Sequence, residues 1–331
     1  MLTSAARPPS SSPRAVNRFS LAAAVLLASL GLATGCSTPA PEPGTAGPAS
    51  HHFANGRIVY AADSGTTYTS IFSIGTDGSD VQRLTDSSGD NGTVAAALDG
   101  SKIAYMRTSA DDASGLYVSN IDGTNPQHVI GRSPDTEAPA LSADGTKLAY
   151  ASASSSADSS AFDIFVMDVD GSRVQQLTRT GDSVGAAFSP DGSKLVYNRF
   201  AHTADHRPFD IFVMDVDGSR VQQLTHTGDS VGAAFSPDGT KLVFSRGQWN
   251  ASSSDVFVMN VDGSNMQQLT HTGDSGGAVF SPDGTRLAFM RRGSDDSYNV
   301  CVMDADGSNV RRLIATVNKG FSRVAWGAVQ H

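Results

Sequence analysis

The apolar residues of this chain come in short runs of four or five, separated by Gly, Asp, Ser and Pro, and the runs recur in groups of four. One such group comprises Asp163 to Met167, Val174 to Leu177, Gly185 to Ser189 and Lys194 to Tyr197. Each run is of strand length and none shows the 3.6-residue period of a helix, so the pattern predicts strands throughout. Ser189-Pro190-Asp191-Gly192, with copies beginning at Ser236 and Ser281, places a proline where φ is preset and a glycine where φ can be positive, which predicts a tight hairpin. Asp170-Gly171 and its equivalents predict the next hairpin.

The groups repeat along the chain. Asp-Gly pairs begin at Asp77, Asp122, Asp170, Asp217, Asp262 and Asp306, at spacings of 45, 48, 47, 45 and 44 residues, and a second series begins at Asp99, Asp144, Asp191, Asp238 and Asp283. The segments Asp163 to Val196 and Asp210 to Val243 differ only at Arg179 against His226 and Ser193 against Thr240, as expected of recent tandem duplication. Four antiparallel strands in a unit of about 45 residues, repeated, are the signature of propeller blades. The first unit starts with Arg57 to Tyr60, which matches the second strand of a blade, and the chain finishes with Arg323 to Gly327, which matches a first strand. The expected fold is therefore all-β: a six-bladed propeller over residues 55–331, with N- and C-terminal strands sharing one blade and leaving no open edge.

The residues ahead of the repeats read as an address. Met1 to Ser20 holds Arg7, Arg14 and Arg18 and no acid, and Leu21 to Leu32 is rich in Ala and Leu, which together form a secretory signal over residues 1–35. The apolar run is short for a transmembrane helix, which needs about 20 residues. It ends in Leu32-Ala33-Thr34-Gly35-Cys36, which resembles a bacterial lipobox and makes Cys36 the expected site of lipidation. An ordinary cleavage site beside a chance cysteine is the competing reading. Residues 36–54 are dense in Pro, Ala, Gly, Ser and Thr, a composition that cannot bury enough apolar surface to fold and so predicts a flexible tether. The expected location is the cell envelope, on the outer membrane if the cell has two, the class that Ser37 resembles.

Charge narrows the partners. The formal net charge is −9, and the three arginines above are the only charged residues before Cys36, so a chain beginning there carries −12. That argues against nucleic acid, whose phosphates need a basic footprint. Cys301 falls where Phe165, Phe212 and Phe257 stand in other repeats and is expected to fill the core.

The repeats resemble the TolB-type, WD40-like propeller repeat. The resemblance is carried by Val-Met-Asp-Val-Asp-Gly-Ser at Val166 and Val213, Gln-Gln-Leu-Thr at Gln175 and Gln222, and Phe-Ser-Pro-Asp-Gly at Phe188, Phe235 and Phe280, and it extends from about Gly56 to Gly327. It implies a non-catalytic propeller that binds an envelope protein or a peptidoglycan-associated partner, as TolB binds the lipoprotein Pal. TolB itself is soluble and has a further N-terminal domain, where this chain has its linker and lipobox. Related repeats also gate prolyl-oligopeptidase-like enzymes, but there the peptidase domain is separate, and Gly-x-Ser-x-Gly stands here only in the repeated slots that begin at Gly181, Gly228 and Gly273, which read as repeat variants.

Several constellations invite chemistry. Gly273-Asp274-Ser275-Gly276-Gly277 looks like the nucleophile segment of trypsin-like proteases, yet sibling repeats carry Gly-Asp-Ser-Val-Gly in the same slot, so it is a repeat variant. Asp168-Val169-Asp170-Gly171-Ser172 offers alternating carboxylates to calcium but lacks the distal glutamate of an EF-hand, and a hairpin needs the same residues. His202 and His206 have metal-ligand spacing only on a helix, and they stand in a polar connection. No metal or other cofactor is expected.

Asp135, Asp182, Asp229 and Asp274 each stand six residues before the apolar residue of a first strand: Leu141, Phe188, Phe235 and Phe280. Because first strands line a propeller's channel, these carboxylates are expected at its mouth, where mutual repulsion favours a cation or a basic ligand. Capping of a turn by the Gly-Asp-Ser run competes with that reading. Counting back in the same way puts Gly92 and Gly320 in the slot in the first and last blades, leaving the ring incomplete. Strand direction places these aspartates on the same face as the variable connections, the expected working face. The function expected is that of a lipid-anchored envelope binding protein, with a metal-dependent lyase-type propeller or a scaffold without fixed ligand as alternatives.

Overall fold

The computed structural model describes residues 56–63, 68–86, 88–109, 114–131, 136–153, 161–201, 208–248, 253–294, 297–315 and 324–328. The expected signal segment and tether, with Cys36, lie outside them. Among the described residues every regular element is a strand, and the strands form six four-stranded antiparallel sheets. A representative blade, the fourth, runs Ser183–Phe188, Lys194–Phe200, Phe209–Asp215, Gln222–Gln223. The second to sixth blades follow in chain order, starting at Asp90, Thr136, Ser183, Ser230 and Ser275.

The first blade closes the ring. Arg57–Asp63 pairs on one side with Thr69–Gly75 and on the other with Val324–Gly327, in the register Ile58 to Trp326 and Tyr60 to Val324. The terminal strand therefore becomes the innermost strand of the blade that the N-terminal strand began, as the sequence pattern predicts.

Burial explains why the runs are continuous rather than alternating. In the second strand of blade four, Leu195 and Tyr197 pack in a cluster with Phe162 and Ile164 of blade three, while Val196 packs in one with Leu242 and Phe244 of blade five. Period-two side chains thus serve both neighbours, and a sheet covered on both faces reads as an unbroken apolar run. The core consists of six such clusters, one at each seam between blades. Cys301 lies in the seam between blades five and six, 2% exposed beside Phe289.

The fourth strands depart from expectation. Val174 to Leu177 is not one apolar run in space: only Gln175–Gln176 pairs with the third strand, Val174 is 55% exposed and Leu177 is buried. As the outer edge of the blade, this strand has a neighbour on one side alone, so its leading Val faces solvent.

Both predicted hairpins form. Ser189 Oγ donates to Asp191 Oδ1 at 2.6 Å and accepts Lys194 N at 2.9 Å, with Gly192 at φ +69°. In the Asp168 to Ser172 turn, Asp170 Oδ1 accepts Ser172 N at 2.9 Å and Asp168 pairs with Lys147 at 3.1 Å and with Arg173. These carboxylates serve the hairpin.

Candidate functional site

The aspartate slot is built by the entry to each first strand. Asp182 immediately precedes Ser183–Phe188, and register sets Ser183 opposite Arg199 of the second strand. The arginine therefore reaches back to the carboxylate, with Nε–Oδ1 at 3.1 Å and Nη2–Oδ2 at 2.7 Å. Arg246 holds Asp229 at 2.9 Å and Arg291 holds Asp274 at 3.0 Å in the same way. In blades four and five the guanidinium also lies over an aromatic ring of the third strand, 5.0 Å from the Phe212 centroid and 5.7 Å from that of Phe257. Cys301 takes the ring's place in blade six.

Charge in this row is thus met within each blade. Burial alone would raise the Asp182 carboxyl, but hydrogen bonds from Arg199 and Thr180 outweigh it and hold the group below the usual carboxylate range. The arginine side chains stay 32%, 29% and 35% exposed in blades four, five and six. A partner at this edge meets guanidinium and carboxylate side by side.

Blade two corrects the predicted break in the pattern. Asn91 stands opposite Arg107 as Ser183 stands opposite Arg199, so Asp90, not Gly92, fills the slot. The count from Leu98 misled because Ala96 is the residue that pairs with Ile103 as Phe188 pairs with Leu195. Asp90 is used differently: its Oδ1 accepts Thr69 N at 2.9 Å, while Arg107 approaches Asp86 at 3.4 Å and lies over Tyr117. In blade three Ser152 replaces the arginine opposite Thr136. Asp135, Gly320, His202 and His206 lie outside the described residues.

Two sets of residues escaped the reading of the sequence. Arg107, Arg199, Arg246 and Arg291 each stand five residues after the basic residue that opens a second strand, at Lys102, Lys194, Lys241 and Arg286, a period that was there to be found. The second set is Asp163, Asp210 and Asp255, on the third strands of blades three to five. Asp163 is 1% exposed, and its Oδ1 accepts Thr178 Oγ1 at 2.9 Å, Thr180 N at 3.0 Å and Gly181 N at 3.1 Å. Asp210 and Asp255 repeat the arrangement with Thr225 and Gly228, and with Thr270, Thr272 and Gly273. A third-strand carboxylate, buried in blade three and half-buried in blades four and five, thus ties down the strand that enters the next blade and, with it, the neighbouring slot.

Inside the ring, the first strands of all six blades surround a central cavity of about 170 Å³. Among the described residues its lining includes Pro139, Phe188, Phe235, Phe280 and Trp326 and no ionisable side chain; Asp182, Asp229 and Asp274 are not part of it.

The family model of the TolB β-propeller domain matches residues 49–330. The chain belongs to this TolB β-propeller family. Among solved structures it is similar to TolB from Acinetobacter baumannii, with a TM-score of 0.67 at 21% identity over 82% of this chain and 66% of that one, just under two thirds of its length. It is also similar to a protein assigned to TolB from Agrobacterium tumefaciens, with a TM-score of 0.62 at 20% identity over 83% and 99% of the two chains. A chain of a nidogen–laminin complex follows with a TM-score of 0.60 at 14% identity, over 82% and 98%. At these identities the likeness is one of fold. No protein of curated function matches the sequence. Among the described residues of this TolB-family propeller, no group of three or more His, Cys, Asp or Glu is placed to hold a metal ion.

Proposed function

We propose that the chain is an exported cell-envelope lipoprotein, tethered through Cys36, whose propeller binds an envelope protein or peptidoglycan-associated partner without catalysing a reaction. The observation that carries the binding part is the row of half-exposed ion pairs on blades four to six, Arg199–Asp182, Arg246–Asp229 and Arg291–Asp274, on one edge of the ring. Rows of this kind favour protein contacts, because arginines held by a carboxylate, two of the three also stacked on an aromatic ring, are preorganised and present planar donors. Membership of the TolB family supports the class of partner, and the lipobox-like Leu32 to Cys36 supports the location.

The test uses the full chain in a bacterial host. Replacing Cys36 with Ala is expected to move the protein from the membrane to the soluble exported fraction. Replacing Arg199, Arg246 and Arg291 together with Gln is expected to abolish co-purification of an envelope partner while leaving the unfolding midpoint within a few degrees. Partner capture unchanged by the triple replacement would sink the assignment of this edge.

A further inference from the structure

Methionine falls on two kinds of position in this chain. Met167, Met214, Met259 and Met303 are the penultimate residues of the third strands in blades three to six, Met290 lies in the seam with blade one, and all five are at most 1% exposed. Met106 is half-buried against the seam between blades two and three. Met266 alone among the described methionines is exposed, at 39%.

Met266 leads into the fourth strand of blade five, where Gln267 pairs with Val258. Register gives the same position to Val81, Val174, Val221 and Val310 in blades one, three, four and six and to Pro126 in blade two, none of which carries a side-chain acceptor. Sulfur changes that in blade five alone. Arg246 gives its Nε to Asp229, at 3.1 and 2.9 Å from the two oxygens, and turns its Nη1 to Met266 Sδ at 3.4 Å. A thioether sulfur is a weak acceptor, so this contact is loosely held. The one exposed sulfur thus touches the middle pair of the row formed by Arg199–Asp182, Arg246–Asp229 and Arg291–Asp274.

We propose that Met266 is a reversible oxidation site that sets how tightly Arg246 is held. A hydroperoxide transfers one oxygen atom to a lone pair of Sδ: the O–O bond breaks, the sulfur loses two electrons, and the peroxide leaves as water or an alcohol. The new oxygen carries partial negative charge beside Nη1, so a weak contact becomes a charge-assisted hydrogen bond and clamps the guanidinium between the sulfoxide and Asp229. Met266 stands outside the core clusters, so the oxygen enters without opening a seam, and methionine sulfoxide reductases restore the thioether. The functional consequence rests on the proposed role of the edge: its middle pair then offers a partner one donor fewer, while the outer two keep theirs.

The full chain is treated with dilute hydrogen peroxide and digested, and its peptides are weighed. Met266 is expected to take up oxygen about tenfold faster than Met106, and faster still than Met259, since access governs the reaction. The Arg246 Nε–H signal in the NMR spectrum, identified by its loss in Arg246→Lys, is then followed for exchange with water. Exchange is expected to slow about fivefold on oxidation and to recover after reductase treatment. Met266→Gln, which carries an amide oxygen at a similar reach, is expected to show the slow exchange without peroxide. Met266→Val, the residue of the sibling blades, is expected to show no response to peroxide at Arg246. Arg199 serves as the internal control, because its blade has Val221 in that position. No partner enters these readings, so they stand or fall apart from the proposed binding role. Oxidation of Met106 or Met259 as fast as Met266, an Arg246 signal that oxidation leaves unchanged, or an equal change at Arg199 would overturn the proposal.

Discussion

Asp191 takes hydrogen bonds from Ser189 Oγ at 2.6 Å, Ser193 N at 3.0 Å and Ser193 Oγ at 2.8 Å. The Ser189 hydroxyl first, then the Ser193 amide and hydroxyl, lower its pKa to about 2. The unfolded chain, with a carboxyl near its ordinary value, binds the proton more readily than the folded one, so this group stabilises the fold above about pH 4 and that contribution disappears as pH falls toward 2. Acid titration of stability is therefore expected to show a steeper fall between pH 4 and 2 in the native chain than in Asp191→Asn, whose amide cannot titrate. Coincident acid profiles would contradict it. Backbone strain gives a second test at this scale. The bulge in the first strands of blades two to six puts one residue in the left-handed region, Gly185 at φ +66°, Gly232 at +69° and Gly277 at +64°, but Ala138 in blade three at +50° and Thr93 in blade two at +42°. A β-branched residue is disfavoured there, so Thr93→Gly is expected to stabilise by about 1 kcal/mol and Gly185→Thr to destabilise by more, as measured by urea unfolding.

Between one blade and the next, the decisive group is an aspartate on a third strand, buried at Asp163 and half-buried at Asp210. Asp210 accepts from Thr225 Oγ1 at 2.9 Å and Gly228 N at 3.1 Å, and Thr225 Oγ1 in turn accepts Ile211 N at 2.9 Å. Truncation leaves the buried Thr225 hydroxyl and the half-buried Gly228 amide without this acceptor, whereas Asn retains an oxygen in place of Oδ1. Asp210→Ala is expected to lower stability by about 2–3 kcal/mol and Asp210→Asn by roughly half as much, read from urea midpoints at constant m-value. Equal losses would mean that the oxygen acceptor is not what matters. Strands one to three were legible in the sequence because seams on both faces demand continuous apolar runs. The fourth was only half legible: a two-residue edge strand buries Leu177 but leaves Val174 in solvent, and composition cannot tell them apart. The Arg–Asp pairs were hidden for a similar reason. Asp182 and Arg199 are 17 residues apart and meet only through the register of a bulged hairpin, where Val184 pairs with Asn198 and Ala187 with Val196. A count along one strand cannot see that bulge, and Gly92 was put where Asp90 belongs for a different reason, the choice of Leu98 rather than Ala96 as the apolar landmark.

At the scale of the ring, period and closure could be read from the chain because the repeats fix the blade count and the two end fragments complement each other. The cavity could not be, since its lining depends on how far six first strands stand from a common axis. Closure itself carries a strong expectation. Val324–Gly327 contributes Val324 and Trp326 to the seam with blade six, where they pack in one cluster with Ile58, Tyr60, Met290 and Val300. It also leaves little slack, because a Cβ on Gly56 would stand 2.2 Å from Gly327 O. A chain ending before Val324 keeps five whole blades but exposes the inner edge of Arg57–Asp63 together with that apolar seam. Unpaired strand edges template pairing with other copies, so the truncated chain is expected to associate in a concentration-dependent way and to lose its single cooperative unfolding transition. Gly56→Val tests the same contact without deleting anything, since its side chain cannot share space with the Gly327 carbonyl, and it is expected to weaken closure in the full-length chain. Light scattering across a dilution series and urea unfolding of both variants decide the matter. If both stay monomeric with the native midpoint, the terminal strand is not what holds the ring shut.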